Sequence, residues 1–207
     1  MPEPVQQPAP GLRERQLQLT RESILDACAD LVNQRRHLGF TMQEIATSAG
    51  MALRTLYNHY PTREDLLDAL LVHLDERMEV LGAVSADDLS SLAEVAEAVR
   101  VNFRIFEALG GVSEAVAQMS VTAAHRNLER NARTDRFVAM ATSQWPQRDL
   151  AQSRKLGLLV RHLASLRSWF ALTRDYGLTT DDAADVVAHT IGLLTGETAQ
   201  RSKRDQA

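Results

Sequence analysis

Apolar residues recur along this chain at helical spacing, and no run rich in Val, Ile and Thr alternates between hairpin turns, so helices are predicted and strands are not. From about Leu17 to Asn33, the residues Ile24, Ala27, Cys28, Leu31 and Val32 share one face. Gly39 falls in the connection that follows. Thr41 stands three residues before Glu44, the capping-box spacing for a helix start, and that short helix is expected to end near Gly50. A third helix runs from about Leu53 to His59 and is stopped by Pro61. Thr62 can cap a fourth, amphipathic through Leu66, Leu67, Leu70, Leu71, Leu74 and Met78, ending near Gly82.

The remainder repeats the pattern. Leu89 to Leu109 carries Leu92, Val95, Ala96, Val99, Phe103 and Phe106 on one face and closes at Gly110-Gly111. Weaker helical segments cover Val112 to about Ala124 and Ala124 to Gln144, and Trp145-Pro146 marks a turn. One long helix is expected from Leu150 to Tyr176, ended by Gly177. A last one runs from Asp181 to about Leu194, with acids in its first turns where the helix dipole favours them. The expected fold is all-α with about nine helices. Residues 1–16, with Pro2, Pro4, Pro8 and Pro10, read as a disordered arm, and 197–207 as a frayed tail.

Composition narrows the field. The apolar 44% is mostly Leu, Ala and Val, which suits helices packed on helices. A single cysteine, Cys28, excludes a disulfide framework and a cysteine-rich zinc site. No apolar stretch approaches a membrane span, and the proline-rich start has no apolar run after a basic one, so a cytoplasmic protein is expected. A net charge of −4 argues neither way for nucleic acid, because it is unevenly spread. Residues 13–63 hold seven arginines against five acids, whereas residues 64–79 hold six acids against Arg77 alone.

The stretch from Thr41 to Tyr60 meets the requirements of a helix-turn-helix. It has a capped first helix, small residues Ala46 and Ala49 where two helices touch, Gly50 for a left-handed turn, and polar atoms at the start of the second helix. Ile45, Met51 and Leu56 can fill the small core between them. The segment Arg21–Leu70 resembles the N-terminal domain of the TetR family of bacterial regulators. The matching features are Ile24-Leu25-x-Ala27, Gly39-Phe40-Thr41, Glu44-Ile45-Ala46, Ala49-Gly50, Thr55-Leu56-Tyr57-x-His59-Tyr60 and Glu64-x-Leu66-Leu67. Beyond them the chain matches in layout only.

The resemblance implies a DNA-binding unit over 17–63, a connecting helix over 64–82, and a ligand-binding and dimerisation domain over 83–196. It also implies a sequence-specific regulator, a repressor released from its operator by a small molecule. Thr41 would cap the bracing helix and touch a phosphate, and Gln43 would face the groove or backbone. Ala52, Leu53, Arg54, Thr55 and Asn58 belong to the recognition helix and its start, and Arg54 can grip guanine O6 and N7. Tyr57, His59 and Arg63 would hold phosphates, which fix register rather than sequence preference. Ala52 stands where the family has Ser or a similar cap, Arg54 where a small residue is common, and Arg63 in place of Lys. Tyr60 reads as a packing aromatic, and His59 by itself would be a surface histidine.

The larger domain is thinly specified. Asn102, Phe103, Phe106, Met119, Phe137, Met140, Trp145, His162 and Trp169 are candidates to line a ligand cavity, although such a stripe is more often plain core. A homodimer through the last two helices is expected. Gly157 and Gly192, inside those helices, suggest close backbone approach there. Neither cofactor nor metal is expected. Two rival classes remain: an enzyme, for which no Gly-rich phosphate loop, nucleophile elbow or metal-ligand cluster is found, and a helical interaction module that never meets DNA.

Overall fold

A computed structural model describes residues 11–119 and 124–195, with side chains at all of these but 124–131. Among the described residues ten α-helices follow one another: α1 (Leu12–Arg35), α2 (Met42–Ser48), α3 (Leu53–His59), α4 (Arg63–Val80), α5 (Leu92–Ala108), α6 (Gly111–Ala117), α7 (Ala124–Gln144), α8 (Leu150–Leu163), α9 (Leu166–Phe170) and α10 (Thr180–Thr195). A 3-10 turn, Ala86–Asp88, precedes α5, and a π-helical turn, Ala171–Asp175, continues α9. No strand occurs among the described residues, so the all-α reading holds.

Two apolar cores organise the chain. The smaller gathers Ile24, Cys28 and Val32 of α1, Ile45 and Ala46 of α2, Leu56 of α3, and Leu66 and Leu70 of α4. Val112 and Ala115 of α6 also enter it, so α6 is a structural part of the N-terminal core although the chain reaches it after α5. Burial pushes the Cys28 thiol up to about 12, which keeps it protonated and inert. The larger core is built from α5, α7, α8, α9 and α10, with Phe103, Val160, Trp169 and Ile191 at its centre. The close pairs are α5 with α10 and α7 with α8.

The structure corrects three expectations. First, α1 starts at Leu12, so residues 12–16 are helical and the arm is shorter than its sequence suggests. Residues 1–10 and 197–207 lie outside the described residues. Second, the long helix expected over 150–176 is broken at Ala164-Ser165. The Ser165 hydroxyl accepts from the Ser168 amide and starts a new helix there. The break lets Trp169 turn into the larger core, where its indole N–H donates to the Thr180 hydroxyl at 3.2 Å. Apolar spacing continues across the break, so periodicity could not reveal it. Third, Gly157 has a close backbone approach within its own chain. A Cβ there would lie 2.8 Å from the Phe137 carbonyl oxygen, so the glycine serves the α7–α8 contact within one chain.

Candidate nucleic-acid interface

Helix α2 begins at a complete capping box. The Thr41 hydroxyl accepts from the Glu44 amide, while Glu44 Oε2 accepts from the Thr41 amide at 2.8 Å and from its hydroxyl at 2.9 Å. Arg35, at the end of α1, donates to Glu44 Oε1 at 2.7 Å and ties the box to the first helix. These donors, the Arg35 guanidinium first, hold the Glu44 carboxyl down at about 2 against its ordinary 4.5. A carboxylate depressed on folding stabilises above its unfolded value and loses that stabilisation as pH falls through its folded one. Acid should therefore loosen the N-terminal unit between pH 4.5 and about 2. Urea titrations across that window check this, and Glu44→Gln should flatten the pH dependence there while lowering stability near neutrality.

The turn after α2 uses Gly50 at φ +65°, a left-handed conformation that glycine adopts without cost, and the Met51 amide closes it on the Ala46 carbonyl at 2.9 Å. Ala46 is fully buried and Ala49 half-buried, which lets α2 and α3 cross closely over Ile45 and Leu56. The α2–turn–α3 unit therefore presents one outward face. On α3 that face carries exposed Arg54, Tyr57 and Asn58, with Leu53, Thr55 and His59 half-buried beside them. Ala52, at the start of α3, supplies no side-chain cap. On α2 it carries Thr41 and Gln43, and also Thr47, which sequence reasoning missed. The Thr47 hydroxyl accepts from Gln43 Nε2 at 3.4 Å, one helical turn away, so its i,i+4 spacing from Gln43 was the available signal. Tyr60 points the other way. It is 5% exposed, burial raises its phenol above the ordinary range, and the Arg21 guanidinium lies 5.9 Å over its ring.

Arg63 is placed otherwise than expected. Its Nε donates to the Phe40 carbonyl at 3.2 Å, its Nη2 donates to the Leu38 carbonyl, and the guanidinium stacks on the Phe40 ring at 4.8 Å. It braces the connection between α1 and α2, so two of its donor nitrogens are already engaged inside the chain. This tertiary role arises because α4 starts beside a loop more than twenty residues earlier in the sequence.

The cavity candidates separate. Phe103, Phe106 and Trp169 pack on one another, with ring centroids 5.9 Å and 6.1 Å apart, and Phe137, Met140 and Trp145 are buried in the same core. Met119 is half-buried beyond the end of α6. His162 stands exposed on α8, away from them, which corrects its expected role. Asn102 is a strut: its side-chain amide accepts from the Val84 amide at 2.9 Å and donates to the Val84 carbonyl at 3.0 Å, pinning the chain between α4 and α5. One N–H and one lone pair of that amide are thereby committed to the backbone, which gives the side chain a structural task.

Residues 24–70, which run from the packed half of α1 to the middle of α4, match the model of bacterial regulatory proteins of the tetR family. Over that stretch the chain is similar to the DNA-binding region of the tetR family. It is 28% identical to the HTH-type transcriptional regulator AlkX of Mycobacterium tuberculosis over 176 residues, 85% of this chain and 72% of that protein. It is also 39% identical to the class D tetracycline repressor protein of Escherichia coli, but over 56 residues only, 27% of this chain and 26% of the repressor. Among solved structures, a transcriptional regulator from Aquifex aeolicus superposes with a TM-score of 0.57 at 14% identity, covering 84% of this chain and 99% of that one. A TetR family protein from Vibrio parahaemolyticus gives 0.51 at 21% identity, covering 83% and 96%. The two structures share the fold over more than four fifths of this chain, whereas the tetracycline repressor match takes in about a quarter of it. The matching family model and the AlkX relative are both of transcriptional regulators. Among the described residues no helix is long and apolar enough to cross a membrane.

Proposed function

We propose that this protein is a sequence-specific repressor of the TetR family that binds its operator as a homodimer and is released by a small molecule. The observation that carries the reading is the outward face of α3. Arg54, Tyr57, Asn58 and His59 make no side-chain hydrogen bond or ion pair among the described residues, while Leu56 and Tyr60 anchor the same helix in the core. A short helix held rigidly from behind, with polar side chains free in front, suits insertion into a major groove. Arg54 reads base edges, Gln43, Tyr57 and His59 hold phosphates, Thr41 holds the start of α2 through its capping box, and Arg63 supports the unit from inside.

Pairing of two copies is supported by the faces that α8 and α10 turn outward. Leu150, Leu158 and Leu159 on α8, and Val186 and Leu193 on α10, are exposed, while the opposite sides of these helices are buried on α7 and α5. Two-fold pairing would set two recognition helices in successive grooves. Release follows by population shift: a ligand taken up among the α5, α7 and α9 side chains favours a conformer with the wrong spacing of those helices.

A gel shift with the DNA upstream of the protein's own gene tests the reading, with sedimentation for the dimer. Binding to that DNA no tighter than to unrelated duplex, or a monomer at micromolar concentration, would overturn it. Arg54→Ala should lower affinity for the preferred site by about 10- to 100-fold, the range of a lost bidentate base contact, and relax its sequence preference. Arg63→Ala should weaken binding to all sequences alike. It should also destabilise the N-terminal unit by about 1–3 kcal/mol, because two carbonyls lose a charged donor. Calorimetric melting alongside the gel shift separates the two roles.

A further inference from the structure

The Glu114 carboxylate on α6 is 7% exposed and bonded from two directions. Arg36, the residue that closes α1, brings its Nη1 within 3.3 Å of both carboxylate oxygens. Arg174, in the π-helical turn that continues α9, donates to Oε1. One buried carboxylate thus links the first helix of the DNA-binding unit to the far end of the regulatory core. We infer that the π-turn Ala171–Asp175 is a conformational switch that sets, through Arg174 and Glu114, how firmly α1 is docked on α6.

Both guanidinium groups approach from uncommon backbone. Arg36 is the sole non-glycine residue with positive φ among the described residues, at 57°. A π-turn takes in one more residue than an α-turn and is seen mostly as a single turn, often at functional sites. Rewinding it as α would swing the side chains at its far end around the helix axis and lift Arg174 off Glu114. The turn starts two residues after Trp169, which fills the regulatory core, so repacking of that core is felt there directly. At the other end the α6–α1 seam has no slack. The Gly111 amide donates to the Asn33 side chain at 2.8 Å, and a Cβ on Gly111 would lie 2.1 Å from the Asn33 carbonyl oxygen. With Arg174 withdrawn, a buried carboxylate is left to Arg36, whose own side chain is largely exposed, and the seam loosens.

The consequence for DNA affinity rests on the proposed function; the docking itself does not, and it is tested without DNA. Hydrogen–deuterium exchange of the full chain is compared between wild type and Arg174→Ala. Amides of residues 31–38 should exchange about tenfold faster in the variant, although the substitution lies in the other domain. A variant lacking Thr173, whose turn can close as α, should show the same change, and Arg174→Lys should fall between. Arg104→Ala, which removes a surface pair with Asp181 on α10, should leave residues 31–38 as in wild type. Exchange there within about twofold of wild type in Arg174→Ala, or an equal rise in Arg104→Ala, overturns the switch.

Discussion

Raising salt from about 50 to 200 mM should weaken binding of the paired protein to duplex DNA by roughly 10³-fold. The figure follows from counterion release. Arginines 13, 15, 21 and 54 lie in or beside the DNA-binding unit of each protomer. If three of these four reach phosphates, a dimer neutralises about six, and the logarithm of affinity falls with a slope near −5 against the logarithm of salt. The acids of α4, including Glu64, Asp65, Asp68, Asp75, Glu76 and Glu79, would repel a duplex laid along that helix. They therefore favour engagement through α2 and α3. Fluorescence anisotropy with a labelled duplex over a salt series checks the slope. A change below about threefold over that range would mean the arginines do not meet phosphate and would remove the electrostatic basis of the repressor reading.

Trp169→Ala should destabilise the protein by about 3–5 kcal/mol, the cost of emptying a large aromatic site. In a chain of this length that lowers Tm by roughly 10 °C. Trp169 is 1% exposed, it meets Phe106 edge-on, and its N–H satisfies the buried Thr180 hydroxyl at the start of α10. Trp169→Phe keeps most of the packing and loses the hydrogen bond, so it should cost nearer 1 kcal/mol. Scanning calorimetry on the three proteins decides between core and cavity. A Tm for Trp169→Ala within about 2 °C of wild type would show that the indole borders open space rather than filling a core.

The cavity question shows where the pattern of residues stops being informative. Large side chains at helical spacing look alike whether they close a core or line a pocket, because both faces are apolar. Asn102 and His162 drew notice as polar groups among apolar neighbours. One is spent on a backbone strut to Val84 and the other faces solvent. Neither outcome follows from spacing along one helix, since each depends on a segment far away in the chain. Arg63 teaches the same lesson. Its place at the start of α4 suggested a phosphate ligand, and the loop carbonyls that claim it are set by how α1 and α4 lie together.

Sequence alone determined the local events of this protein. The Thr41–Glu44 box, the left-handed Gly50, the apolar stripes of α4 and α5, and the resemblance over Arg21–Leu70 all rest on interactions within a few residues, so spacing encodes them. Tertiary structure decided the rest: the insertion of α6 into the N-terminal core, the break at Ser165, the π-turn after α9, the service of Gly157 to α7, and the meeting of Arg36 and Arg174 on Glu114. The physical reason is range. Hydrogen bonds and dihedral preferences act between chain neighbours, whereas packing and ion pairing join residues as much as 85 positions apart, as in the Arg100–Asp185 pair, whose proximity exists only once the helices have assembled.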